Sequence, residues 1–119
     1  MGTATGLLEY PAQAVNLNGR FFTDKTFHFE TLRNAGYIFS QCADLSEILE
    51  TTKLIAEGDV ESWYRAWAAT ADRIEGLAAR TSDRRSEGDA YMRASTYQRL
   101  AEFLLPPDDP RRRDLSTRP

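Results

Sequence analysis

Apolar side chains recur at spacings of three and four through most of the second half of the chain, a period that predicts helices rather than strands. The clearest run is Val60, Trp63, Tyr64, Trp67, Ala71, Ile74 and Ala78, which reads as an amphipathic helix with one face inward. Alanines at 66, 68, 69, 71, 78 and 79 favour helix formation and let a neighbouring helix come close. Ala90, Tyr91, Ala94, Tyr97, Ala101 and Leu104 mark the inner face of a second long helix. Thr81 to Glu87 reads as an exposed loop before it, Ser86 as its N-cap with Asp89 at the third position, and Pro106 and Pro107 as its end.

Upstream, the pattern predicts two shorter helices. From Thr26 onward, Phe27, Glu30, Thr31 and Asn34 share a face, and Gly36 supplies a C-terminal stop. After a linker around Ser40 to Ala43, Asp44 and Glu47 form a capping-box-like start for a stripe of Leu45, Ile48, Leu49, Thr52, Ile55 and Ala56. Gly58 is expected to end that helix and Asp59 to cap the next, which makes a tight helical hairpin. The crowding of Phe21, Phe22, Phe27 and Phe29 predicts buried packing, and no alternating strand pattern extends beyond a marginal stretch at Gly19 to Phe22. The fold class expected is all-α: a bundle of about four helices over residues 21–107. A flexible N-terminal arm, residues 1–20, precedes it, with Leu7, Leu8 and Tyr10 docking locally, and a polar tail expected to be disordered, residues 108–119, follows.

Composition narrows the class. The 119 residues are 41% hydrophobic and 28% charged, enough for one packed core with a water-facing exterior. A net charge of -3 gives no general attraction for phosphate backbones, so no nucleic-acid partner is expected. The single basic run, Arg111 to Arg113, follows Asp108, Asp109 and Pro110 and reads as a solvated end. No stretch approaches the roughly 18 to 20 consecutive apolar residues of a membrane span. The lone Cys42 cannot form an intramolecular disulfide, no signal-peptide pattern opens the chain, and the cytoplasm is the expected compartment.

Self-sufficient chemistry is hard to assemble from these residues. There is no G-x-S-x-G nucleophile elbow and no glycine-rich phosphate loop, so neither an activated serine nor a phosphate cradle is encoded. One histidine and one cysteine cannot supply an ordinary zinc site, and no metal or other cofactor is expected. His28, between two phenylalanines, reads as a packing residue with one hydrogen bond, and Cys42, near Asp44 rather than a cation, as a small packing residue. Carboxylate pairs such as Glu47 with Glu50 fall at caps or on outer faces, where solvated charge explains them. The aromatic set Trp63, Tyr64, Trp67, Tyr91 and Tyr97 either forms the core or lines a cavity for a flat or acyl-bearing ligand.

Three runs carry a resemblance. They are Ala43-Asp44-Leu45-Ser46-Glu47-Ile48-Leu49, then Glu57-Gly58-Asp59-Val60-Glu61-Ser62-Trp63-Tyr64-Arg65-Ala66-Trp67, then Arg93-Ala94-Ser95-Thr96-Tyr97-Gln98-Arg99-Leu100-Ala101-Glu102-Phe103-Leu104. Together they are similar to the N-terminal helical region of a group of α/β-hydrolases that includes 2,6-dihydroxypseudooxynicotine hydrolases, fungal polyketide-shortening hydrolases and, more distantly, FrsA-like esterases. The resemblance runs from about Phe21 to Pro110 and departs from the family pattern at Gln41 and Cys42, where glycines are common, and around Thr96 to Gln98.

The resemblance implies a lid that covers the active site of an α/β domain and helps dimerisation, while the serine, acid and histidine come from that other domain. Members hydrolyse carbon–carbon bonds in acylated aromatics or β-diketones, or related acyl bonds. No catalytic position of the family has a counterpart here, so the resemblance implies a cap inactive by itself, its catalytic domain supplied in trans or lost. It carries over only a substrate-lining role, to Tyr64, Trp67, Tyr91 and Tyr97. A homodimer is expected from the apolar surface a lone cap would leave open, and an aromatic or acyl small molecule as ligand. The alternative is a stand-alone helical binding or dimerisation module. A small cofactor-free enzyme using Tyr or Asp as acid and base is a third reading.

Overall fold

The computed structural model describes residues 21–112. Four α-helices follow one another: α1 (Lys25–Ala35), α2 (Leu45–Thr52), α3 (Val60–Arg80) and α4 (Arg84–Phe103), with a 3₁₀ turn (Gly36–Ser40) between the first two. No strand occurs among the described residues, and the chain is the all-α bundle its periodicity predicts. The expected arm, residues 1–20 with Leu7, Leu8 and Tyr10, and residues 113–119 of the expected tail lie outside the described residues.

Each α-helix opens on an aspartate in extended conformation. Asp24 accepts from the Phe27 amide, Asp44 from Glu47, Asp59 from Glu61 and Ser62, and Asp83 from Ser86. A carboxylate there satisfies an otherwise unpaired amide and sits at the positive end of the helix dipole. This corrects the expected start of the last helix. Asp83, not Ser86, is the cap, and the Ser86 hydroxyl donates to the Asp83 carboxylate at 2.6 Å, because a carboxylate outcompetes a hydroxyl as acceptor.

Of the two expected stops, the first holds in position, with Gly36 as the C-cap of α1, and the second moves. Gly36 has an ordinary helical φ of -62° and passes the chain into the 3₁₀ turn, so the reversal falls on Gln41, at φ 66°. The Gln41 and Cys42 amides close that turn on the Ile38 and Tyr37 carbonyls, at 3.1 and 3.0 Å. A left-handed backbone is one that glycine adopts without steric cost, and here a glutamine occupies it. The second helix ends at Thr52, well before Gly58. Thr51 and Thr52 turn their hydroxyls back onto the carbonyls of Glu47 and Leu49, at 2.7 and 3.0 Å, and two adjacent β-branched residues bonding this way weaken continued helix. Gly58, at φ +75°, closes the connector instead of the helix.

The core is built on the α3–α4 hairpin. Ala66, Ala71 and Ala78 on α3 and Ala90, Ala94 and Ala101 on α4 are all buried, and their small side chains let the two long helices pack along most of their length. An aromatic chain runs through the interior. Phe22 meets Phe27 edge-on, Phe27 lies 4.7 Å from Trp63 between ring centres, and Trp63 abuts Trp67, which stacks on Tyr97 at 5.7 Å. The Trp63 indole donates to the Leu100 carbonyl at 2.8 Å, tying α3 to α4. The phenylalanine crowding is therefore only half core: Phe22 and Phe27 are buried, but Phe29 is 62% exposed on the outer side of α1.

The C-terminal arginines do not read as a solvated run where they are described. Arg111 pairs with Asp109 and with Glu61 of α3, each at 2.9 Å, and its guanidinium lies 4.6 Å from the Tyr64 ring centre. Arg112 donates to the Phe103 and Leu105 carbonyls at 3.1 and 3.0 Å, satisfying acceptors that the end of α4 leaves open. Arginine's planar fork suits such multiple pairing, and nothing in local sequence names partners so far away in the chain.

Candidate functional site

The four aromatic residues singled out by the resemblance fall in three places. Trp67 and Tyr97 come together, fully buried and stacked. Tyr64 lies half-buried on α3 beneath Arg111. Tyr91, placed by its periodicity on the inner face of α4, is instead 42% exposed, beside a small depression of about 170 Å³ edged by Asp72, Glu75, Ser95 and Gln98. The Trp67 Nε1 is buried without a hydrogen-bond partner among the described residues.

Around Tyr97 the helices build a charged clamp. Glu47 of α2 accepts twice from Arg93 of α4, at 2.9 and 3.1 Å, and once from the Tyr97 hydroxyl at 2.7 Å. That hydroxyl in turn accepts from the Asp44 amide at 2.9 Å, so the start of α2 is fixed to the middle of α4. Burial, then the hydrogen bond to Glu47, pushes the Tyr97 hydroxyl far above the usual tyrosine range, and it stays protonated. Burial pulls on the Arg93 guanidinium in the opposite sense, but its bond to Glu47 and the charge there hold it above its ordinary value. The hydrogen bond from Ser46 holds the Asp44 carboxyl below the usual carboxylate value. A hydroxyl with both its donor and acceptor sides committed and its proton held this firmly is a structural tie, not an acid or base poised near neutral pH.

His28 matches the packing residue expected of it. Its Nδ1 accepts from the Phe21 amide at 3.1 Å, and its ring sits 6.0 Å from that of Phe21. Cys42 is part-buried with its thiol 3.5 Å from the Ser40 carbonyl. Among the described residues no group of three His, Cys, Asp or Glu side chains is placed to hold a metal ion, and no helix is long and apolar enough to cross a membrane.

Another opening is one that sequence reasoning missed. A cleft of about 230 Å³ lies where α1, the 3₁₀ turn and the end of α4 meet, lined by Glu30, Arg33, Asn34, Tyr37, Arg99, Leu100 and Phe103. Glu30 is nearly buried and pairs with Arg33 at 3.0 Å, while the Arg33 guanidinium lies 5.4 Å from the centre of the Phe103 ring. Asn34 donates its side-chain amide to the Glu30 carbonyl at 2.8 Å. Arg33 and Arg99 are far apart in sequence, and no local pattern joins them.

The chain is similar to fungal hydrolases. It is 43% identical over 97 residues to the 20-hydroxy-prefusarin hydrolase of Gibberella moniliformis, a match that covers 77% of this chain and 23% of that protein. A hydrolase of Pyricularia oryzae is 40% identical over 101 residues, covering 82% of this chain and 24% of that protein. An alpha/beta hydrolase of Aspergillus fumigatus is 34% identical over 89 residues, covering 72% and 20%. The chain thus spans about a quarter of the length of these curated relatives or less, and the resemblance read from its three runs is borne out at that level. No family model matches the chain, and no solved structure matches it.

Proposed function

We propose that this chain is the helical cap of an α/β-hydrolase acting on carbon–carbon or acyl bonds, covering an active site whose catalytic groups lie outside these 119 residues. The observation that carries this reading is the pattern of similarity: identity of 34 to 43% over about three quarters of this chain that spans only a fifth to a quarter of each hydrolase. The distribution of apolar surface supports it. Phe29, Leu32, Tyr37, Phe39 and Phe103 are all exposed, Phe39 at 94%, and they belong to α1, the 3₁₀ turn and the last residue of α4. The other exposed large apolar residues, Leu45, Leu54, Leu77, Tyr91 and Met92, are spread over α2, the connector after it, α3 and α4, whereas exposed apolar side chains on adjoining elements mark a surface that a partner can cover. In this reading that region meets the catalytic domain, the clamp of Glu47, Arg93 and Tyr97 keeps the cap rigid, and the setting is cytoplasmic.

The test is reconstitution. An α/β-hydrolase catalytic domain encoded in the same genome with matching similarity to these fungal hydrolases is mixed or fused with the chain, and complex formation and aryl-ester hydrolysis are measured. A stable complex with raised or more selective turnover is the expected result. The absence of both a complex and any change in hydrolysis would overturn the cap role.

A further inference from the structure

We infer that the cleft between α1, the 3₁₀ turn and α4 is a binding site for a small organic acid with a flat apolar body, of the class of aromatic monocarboxylates. The proposal does not rest on the cap role. It rests on what the fold assembles at one place from segments more than sixty residues apart in sequence.

Charge comes first. The chain as a whole is acidic, at -3, yet this cleft holds two guanidinium groups, Arg33 and Arg99, against the single carboxylate of Glu30. Glu30 engages Arg33 through one nitrogen, and Arg99 makes no ion pair or hydrogen bond among the described residues. A guanidinium presents five N–H donors in a planar fork, so Arg99 is free to grip a carboxylate with two parallel bonds and Arg33 retains donors for a third. The Glu30 pairing and the Phe103 ring together hold Arg33 in place before any ligand arrives.

Shape and polarity then restrict the ligand. The apolar part of the lining is Leu100, Phe103 and the ring of Tyr37, which suits a flat hydrocarbon body better than a fully hydrated ion. At about 230 Å³ the cleft falls below the roughly 300 Å³ at which drug-sized pockets begin, so one ring or a short chain fills it. The Tyr37 hydroxyl adds a further donor or acceptor at the partly open rim.

The test is titration of the full 119-residue chain with sodium benzoate, benzyl alcohol and inorganic phosphate, followed by calorimetry and by amide chemical shifts. Benzoate is expected to bind with a Kd of about 1 mM, appropriate to a ligand of its size, and to shift the amides of Tyr37, Arg99 and Phe103. Benzyl alcohol and phosphate are each expected to bind at least about tenfold more weakly, because each lacks one half of the recognition. Arg99→Met keeps the stem and removes the fork, and is expected to weaken benzoate about tenfold with an unchanged melting temperature. Arg84→Met, at the exposed start of α4, serves as the control that leaves binding intact. Equal binding of benzyl alcohol, equal binding of phosphate, unchanged affinity in Arg99→Met, or shifts confined to other residues would each overturn the proposal. Because the titration uses the chain alone, its failure leaves the cap role standing, and failed reconstitution leaves the cleft standing.

Discussion

Tyr97→Phe isolates one oxygen atom whose role the structure defines closely. The ring stays, so the stacking on Trp67 and the fully buried volume are kept. What is lost is a hydrogen bond to the Glu47 carboxylate at 2.7 Å and the acceptor for the Asp44 amide at 2.9 Å. A hydrogen bond to a charged group contributes about 1.5 to 3 kcal/mol, and the Asp44 amide is left without its acceptor besides, so the variant is expected to lose about 2 to 3 kcal/mol. For a domain of this size that lowers the melting temperature by roughly 8 to 20 °C. Urea unfolding followed by circular dichroism measures it, with Tyr91→Phe as the control, since Tyr91 is 42% exposed and that change is expected to stay within about 0.5 kcal/mol. A double-mutant cycle with Glu47→Gln then apportions the tie, and a coupling of about 1 kcal/mol or more is expected. If Tyr97→Phe unfolds within 0.5 kcal/mol of the parent, or if Tyr91→Phe is as damaging, the clamp is not what joins α2 to α4.

Other expectations are simpler to state. Trp63→Phe should lose about 1 kcal/mol more than Trp67→Phe in urea unfolding, because the Trp63 indole donates to Leu100 whereas the Trp67 indole nitrogen has no partner among the described residues. Asp83→Ala should lower stability by about 1 kcal/mol and Ser86→Ala by distinctly less, which melting curves of the two variants will rank. The Arg111 hydrogen bond holds the Asp109 carboxyl down at about 2, and hydrogen bonds from Ser46 and Ser86 lower those of Asp44 and Asp83. Folded-state values below the unfolded ones mean that this stability is present above about pH 4 and lost as pH falls toward 2, and Asp109→Asn should flatten the decline in urea midpoint over that window. In the absence of a catalytic domain, the apolar region of Phe29, Leu32 and Phe39 is expected to pair with a second copy, so sedimentation should find a dimer that Phe39→Ser weakens. A parent that stays monomeric at high concentration would count against that pairing.

Much of this fold is local, and what is local was legible. A helix is specified by residues three and four apart, so the Val60 to Ala78 stripe predicts α3 within a few residues, and Asp44 and Asp59 announce the two helices they cap. The buried alanines of the α3–α4 hairpin follow from the same periodicity. Boundaries set by competition between neighbouring groups were less legible. Asp83 displaced Ser86, two threonines ended α2 before Gly58, and the left-handed residue Gln41 closes a 3₁₀ turn that the sequence pattern did not announce.

What the sequence could not determine is which distant side chains meet. Tyr97 reads as an apolar inner-face residue, and only packing places its hydroxyl between Glu47 and the Asp44 amide. Arg111 reads as the start of a solvated basic run, and only the return of the chain to α3 gives it Glu61 and Tyr64. The cleft needed Arg33 and Arg99 to arrive from two helices at one end of the bundle. The period of a helix fixes which face is apolar, but it carries no information about the rotation and approach of one helix against another. Those are decided by side-chain packing across the whole core, and with them the charged pairs that the packing brings into reach.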